Sequence, residues 1–183
     1  MYQQIGERLV GKRVMDAGCG LGLGTARLAQ AGALAIGVDK VGEHIDFARS
    51  CYPWLVFSKV DLALGVKFYP TFDAVVCIEV LEHLDDPYAC IRTCVRNMKP
   101  GGRMWFSTPN ARAFPGGHSG NPEHVREYTS EEASELLGVF GDVRVLNPWT
   151  LEPVRGGVVS DGTLTPLLYE VSTGRPGGEV RVA

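Results

Sequence analysis

No run of apolar residues in this 183-residue chain approaches the ~20 needed to cross a bilayer, so no membrane span is expected. The first ten residues carry Glu7 and Arg8 and lack an apolar centre. They do not read as a signal peptide, and a cytoplasmic protein is the expectation. Cysteine pairing is also missing. The five cysteines (Cys19, Cys51, Cys77, Cys90 and Cys94) are odd in number and scattered, with no C-x-x-C pair. Neither a disulfide framework nor a zinc site follows, and a reducing compartment does. Cys90 and Cys94, four apart, read as small apolar packing on one helix face. An excess of positive charge is absent too: 18 basic against 21 acidic residues leave a formal charge of -3. A blanket field that would draw in nucleic acid is therefore lacking. Repeats and low-complexity tracts are missing as well. Length and composition suit one folded domain, 1–173, with a loose tail over 174–183.

Short apolar runs alternate with helical spacing. Lys12 to Ala17, Leu34 to Asp39, Leu55 to Val60, Phe72 to Glu79 and Arg103 to Thr108 read as strands. Between them, Thr25 to Ala31, Glu43 to Ser50 and Tyr88 to Met98 read as helices, and Ile5 and Leu9 suggest a short helix before the first strand. That alternation predicts crossover units, hence an α/β fold with a mostly parallel sheet. Thr129-x-x-Glu132 is a capping box for a helix ending near Gly138. Val143 to Leu146 and Leu164 to Val171 then read as two further strands, with turn signals at Arg155-Gly156-Gly157 and Asp161-Gly162 between them. The aperiodic stretch from Asn110 to Tyr128 is long enough to suggest a functional loop.

The densest signal is VMDAGCGLGLG, from Val14 to Gly24, where a strand runs into Gly18, Gly20 and Gly22. Such a turn lies at the carboxyl ends of the strands, where open α/β sheets bind ligands. Asp39 ends the next strand, where a carboxylate can accept both hydroxyls of a ribose. The spacing is G-x-G-x-G, not the dinucleotide G-x-G-x-x-G, and Asp16 stands beside it. An acid at that place repels a phosphate and attracts a cation. S-adenosylmethionine, with its sulfonium, ammonium and ribose, fits that chemistry better than a dinucleotide.

These residues resemble motif I of the class I S-adenosylmethionine-dependent methyltransferases, of the type 11 and quinone-biosynthesis O-methyltransferase kind. Three further landmarks follow in order: Val60-Asp61-Leu62, FDAVVCIEVLEHL from Phe72 to Leu84, and MKPGGRMWFSTPN from Met98 to Asn110. The resemblance covers roughly Lys12 to Leu137. It implies a Rossmann-like three-layer sandwich whose mostly parallel seven-stranded sheet has an antiparallel C-terminal strand. It also implies S-adenosylmethionine as cofactor and S-adenosylhomocysteine as product. Asp16, Gly18, Cys19, Gly20 and Asp39 carry over as cofactor-binding residues, as do Lys40, Asp61, Leu62 and Glu79.

Methyl transfer to an activated carbon rests largely on positioning the two reactants. A base is needed only for an acceptor that must lose its proton, and His83, just after the fourth strand, is the candidate; packing against the next helix is its plainer role. Glu79, Glu82 and His83 form E-x-x-E-H, and His124 follows in NPEHVREYT. Two carboxylates with two imidazoles suit a divalent metal that holds acceptor hydroxyls. Quinone-biosynthesis O-methyltransferases and small-RNA 3′-terminal 2′-O-methyltransferases share this layout by resemblance; in many small-molecule relatives the same acids simply organise hydrogen bonds. The expected acceptor is the oxygen or nitrogen of a small molecule. The rivals are a metal-dependent RNA-terminal methyltransferase and a cofactor-binding subunit without activity. Only about ten residues precede the first strand, which predicts an open acceptor site that a partner protein could cover. Trp105 reads as core, while Trp149 and Tyr128 are better placed for stacking.

Overall fold

The computed structural model describes residues 1–69, 71–154, 159 and 166–173. Five helices, α1 (Tyr2–Glu7), α2 (Leu23–Gln30), α3 (Gly42–Cys51), α4 (Pro87–Arg96) and α5 (Ser130–Gly138), surround one sheet. Its strands are β1 (Arg13–Ala17), β2 (Leu34–Asp39), β3 (Val56–Lys59), β4 (Phe72–Ile78), β5 (Met98–Thr108), β6 (Asp142–Leu146) and β7 (Leu167–Ser172), in the order β3-β2-β1-β4-β5-β7-β6. Strands β1 to β5 run parallel, and β7 lies antiparallel between β5 and β6. This is the Rossmann-like architecture that the resemblance implied.

Side-chain alternation along the central strands divides the core. Val14, Ala74, Val76 and Trp105 pack on one face with Ile5 and Leu9 of the N-terminal segment and Leu28 of α2. Their neighbours Met15, Val75, Cys77, Met104 and Phe106 pack on the other with Cys90, Ile91 and Cys94 of α4 and Leu136 and Leu137 of α5. A period of two on strands buried on both faces produces that division. Trp105, Cys90 and Cys94 are core residues, as their sequence context suggested. No helix among the described residues is long and apolar enough to cross a membrane.

Most element ends fall within one to three residues of the sequence reading, and the largest difference lies between α4 and β5. α4 stops at Arg96 and β5 begins at Met98, five residues before the expected Arg103. Asn97 makes the break: its buried amide donates to the carbonyls of Thr93 at 2.8 Å and Val66 at 2.7 Å. Its Oδ1 accepts from the Phe68 amide at 2.5 Å. Met98 then pairs with Phe72, and the register shifts before Ala74 meets Arg103. The turn signals at 155–157 and 161–162, the first residues of the expected 164–171 strand, and the tail from 174 lie outside the described residues.

Sheet order reverses between β1 and β4, so a crevice opens beyond their carboxyl ends. The loop from Asn110 to Tyr128 returns to its own base, where the Ala111 amide donates to the Tyr128 carbonyl at 2.9 Å. The capping box then starts α5: Thr129 Oγ1 accepts from the Glu132 amide at 3.3 Å, and Glu132 Oε2 from the Thr129 amide at 2.8 Å. Thr129→Ala is expected to lose about 1 kcal/mol of stability, the typical value of an N-cap, read as a lower urea midpoint with an unchanged slope.

Candidate functional site

The crevice holds a cavity of ≈ 630 Å³, within the about 300–1,000 Å³ usual for small-molecule and cofactor sites. The ends of β1, β2, β3 and β4 form it. After β1 the glycine loop turns through Gly18 (φ 74) and Gly20 (φ 50), a backbone region that side chains with a Cβ rarely adopt. A Cβ on Gly18 would also overlap the side chain of Val80, so the loop backbone lies directly against that side chain just past the end of β4. After β2, Asp39 ties the loop down: Oδ2 accepts from the Gly20 amide at 2.9 Å and Oδ1 from the Val41 amide at 2.8 Å. After β3, Asp61 caps the 3-10 turn Leu62–Leu64 by accepting from the Ala63 amide at 2.9 Å.

Of the residues expected to hold a cofactor, Gly18, Gly20, Asp39, Lys40, Asp61, Leu62 and Glu79 line this cavity, and so does His83. Asp16 and Cys19 do not. Asp16 is 0% exposed beneath the loop, where the Thr25 hydroxyl donates at 2.6 Å and the Tyr2 hydroxyl at 3.1 Å. Burial pushes its carboxyl up to about 6 against those two bonds. The sequence reading missed His44, whose Nδ1 lies 3.9 Å from Asp39 Oδ1 on the cavity wall. It also missed Glu123, Tyr2 and Thr25; for His44 the i+5 spacing from Asp39 was the available signal.

Beyond β4 the acids and histidines cluster. Glu79 has a left-handed backbone (φ 55), a strained conformation for a side chain of this kind. Ser107 fixes it: the Glu79 amide donates to the Ser107 carbonyl at 3.1 Å, and the Ser107 hydroxyl donates to Glu79 Oε1 at 2.6 Å. Burial, with the Glu82 charge adding to it, pushes the Glu79 carboxyl up to about 7. Glu82 is 0% exposed, and burial raises its carboxyl as well. Its Oε2 accepts from the Thr108 hydroxyl at 3.1 Å, whereas Oε1 has no hydrogen-bond partner among the described residues. The Glu82 carbonyl accepts from the Val125 and Arg126 amides at 2.7 and 3.2 Å, which docks the long loop over the 3-10 turn Leu81–His83.

That docking sets His124 beside His83, with ring centroids 4.8 Å apart. His83 Nδ1 is 3.0 Å from the Glu123 carbonyl, which only accepts, so Nδ1 carries a proton, and in the neutral ring Nε2 holds the lone pair. His124 Nδ1 is 2.6 Å from Glu127 Oε1, an acceptor, so its Nδ1 carries a proton as well and Nε2 is the nitrogen left to face His83 and Glu82. Burial would raise Glu127, but the bonds from Ser119 and His124 outweigh it and hold its carboxyl low. One ligand atom from each of Glu82, His83 and His124 lies within 4.8 Å of the others. Glu79, the fourth residue of the expected metal set, stands outside that group, its Oε1 engaged by Ser107.

Glu79 gives the site a pH signature. Its folded value of about 7 exceeds the ordinary 4.5, so the stability it contributes is full below about 4.5 and lost as pH rises through about 7. Glu79→Gln removes that loss. In chelator, its stability relative to the wild type is expected to rise between pH 5 and pH 8 in denaturant titrations.

The methyltransferase domain family matches residues 15–106, half of the chain. A probable S-adenosylmethionine-dependent methyltransferase of Mycolicibacterium smegmatis is 34% identical over 143 residues, 77% of this chain and 56% of that protein. A ubiquinone biosynthesis O-methyltransferase of Coxiella burnetii is 39% identical over 106 residues, 56% of this chain and 45% of that protein. The chain thus spans about half the length of the curated relatives it matches. Among solved structures, a TehB-like SAM-dependent methyltransferase from Corynebacterium glutamicum superposes with TM-score 0.70 at 21% identity, covering 95% of this chain and 87% of that one. The crevice at the β1–β4 reversal, the loop that crosses it and the family match over both strands agree, and the chain belongs to the methyltransferase domain family of S-adenosylmethionine-dependent proteins.

Proposed function

We propose that the chain binds S-adenosylmethionine in the glycine-loop cavity and transfers its methyl group to an oxygen or nitrogen of a small molecule. The observation that carries this reading is the meeting of Gly18, Gly20, Asp39 and Asp61 around one cavity of ≈ 630 Å³. Asp39 keeps lone pairs for the ribose hydroxyls after accepting two backbone bonds, because a carboxylate has about four acceptor sites. Lys40, Asp61 and Leu62 bound the adenine end, while the loop and Glu79 bound the amino-acid end. Cys19 and Asp16 support the loop from beneath. His83, with its lone pair on Nε2, is the base for an acceptor that must lose a proton.

A second reading has a specific observation in its favour: the buried, unpartnered Glu82 Oε1 beside two imidazoles of matched tautomer. Two neutral imidazoles and one carboxylate form a donor set that suits a transition-metal ion or zinc better than magnesium. Glu123 and Glu127 orient those rings, as outer partners of metal-binding histidines do. Glu82, His83 and His124 would hold the ion, with Glu79 beside them through Ser107. A bound ion would supply Lewis acidity toward an acceptor hydroxyl, and His83 would then act as ligand and not as base.

Transfer of labelled methyl from S-adenosylmethionine into host metabolites, with and without chelator, tests both readings. Chelator-insensitive label in small molecules supports the base, and chelator-sensitive label supports the metal. Label confined to RNA, or no transfer at all, contradicts the proposal. Asp39→Ala is expected to weaken S-adenosylmethionine binding by about tenfold or more, as loss of a charged hydrogen-bonding partner does. If the base reading holds, His83→Ala lowers turnover by about a hundredfold while leaving that affinity nearly unchanged.

A further inference from the structure

The N-terminal helix reaches the cofactor loop through one side chain. Tyr2 donates to Asp16 Oδ1 at 3.1 Å while Thr25 of α2 donates to Oδ2 at 2.6 Å. Both oxygens of a fully buried carboxylate are thus engaged, two residues before Gly18. The fit of the phenol is close. A Cβ on Gly24 would overlap the Tyr2 ring, and one on Gly6 would come within 2.6 Å of Ala31 Cβ, so two glycines let α1 lie directly on α2. The outer side of the N-terminal segment is fixed as well. Gln4 Nε2 donates to the Trp149 carbonyl at 2.5 Å, and Arg8 Nη2 donates to the Leu151 carbonyl at 3.1 Å.

An ordinary core contact would present an apolar group at Tyr2. A phenol aimed at an acid has a different consequence, because a carboxylate only accepts and a hydroxyl that donates to it favours its charged form. We infer that Tyr2 is a positioning residue for cofactor binding, holding Asp16 as an oriented carboxylate beneath the loop that receives the cationic end of S-adenosylmethionine. This rests on the reading that the cavity takes that cofactor. Burial makes Asp16 effective: a charge removed from solvent is little screened, so it acts on a cation across the loop backbone.

The groups that face Asp16 set the sign of the effect. Tyr2 on α1 and Thr25 on α2 favour its charge; burial and Asp39 at the end of β2 oppose it, leaving the carboxyl near about 6. Cys19 in the loop and Cys77 on β4 stand close enough to act on the same pair, and burial with the Asp16 charge raises the Tyr2 phenol far above its usual range, so it remains a donor. An arriving sulfonium favours the charged form. Affinity for S-adenosylmethionine therefore rises as pH increases through about 6. Without the Tyr2 hydroxyl, Asp16 ionises at higher pH and that rise moves up.

Calorimetric titration of the whole chain with S-adenosylmethionine and S-adenosylhomocysteine between pH 5 and pH 8 tests this. Tyr2→Phe keeps the ring over Gly24 and removes the donor. It is expected to weaken S-adenosylmethionine binding at pH 7 by about tenfold and to move the affinity midpoint upward. S-adenosylhomocysteine, which lacks the sulfonium, is expected to lose less. Unchanged affinity and midpoint would overturn the inference and leave the cofactor reading standing. Equal losses for both ligands at an unchanged midpoint would overturn it too, reducing Tyr2 to packing. A wild-type chain that binds neither ligand would remove the cofactor reading and the inference together. Should Tyr2→Phe fail to fold, Asp16→Asn decides: loss of the rise through about 6, with only the rise that Glu79 gives near 7 remaining, supports the inference, and a retained rise through about 6 contradicts it.

Discussion

The passage of the glycine loop across the end of β4 is the contact on which the rest of the site depends. Gly18 leaves no room for a Cβ against Val80, so β1 and β4 end side by side and the loop lies over both. Asp39 then ties Gly20 to β2, and the ends of β1, β2, β3 and β4 enclose one cavity. Were that crossing wider, the loop amides and the acid of β2 would no longer border the same space. The parallel sheet exists to bring these strand ends together, and its two-faced apolar alternation is what holds them there.

Three acids around the crevice, Asp16 and Glu82 buried and Glu79 open to the cavity, carry an electrostatic cost that the fold offsets with hydroxyls instead of cations. Asp16 has Tyr2 and Thr25, Glu79 has Ser107, and Glu82 has Thr108 on one oxygen only. Neutral donors moderate the desolvation without cancelling the charge, which is why burial still raises all three. A site so arranged is electronegative and underpaired, and a cationic ligand completes it. The exception among the acids is Glu127, which Ser119 and His124 hold in its charged form beneath the long loop.

Much of this was legible in the sequence, and the reason lies in local chemistry. Glycine spacing, the acids after β2 and β3 and the Thr129–Glu132 capping box are signals contained within a few residues, and each appears where the sequence placed it, whereas the acid of β1, Asp16, lies beneath the loop. What was not legible depends on chain segments meeting from far apart. Tyr2 reaches Asp16 across 14 positions, Ser107 reaches Glu79 across 28, and Thr108 reaches Glu82 across 26. Hydroxyl residues in strands and a tyrosine near a helix start look the same whether or not an acid awaits them. E-x-x-E-H likewise reads as one set, yet the left-handed backbone at Glu79 turns its side chain toward Ser107 and away from the Glu82, His83 and His124 group. The break at Asn97 was missed for a similar reason, since its amide holds Val66, about thirty residues earlier in the chain.

We place a sulfonium cofactor in the space between the glycine loop and the ends of β2 and β3. A crystal structure of the chain grown with S-adenosylhomocysteine tests it most directly. The ribose hydroxyls are expected on Asp39, the adenine beside Asp61 and Leu62, and the amino-acid end against Gly18 and Glu79. Ligand bound elsewhere, or a cavity filled by side chains with the loop moved off Val80, would contradict it.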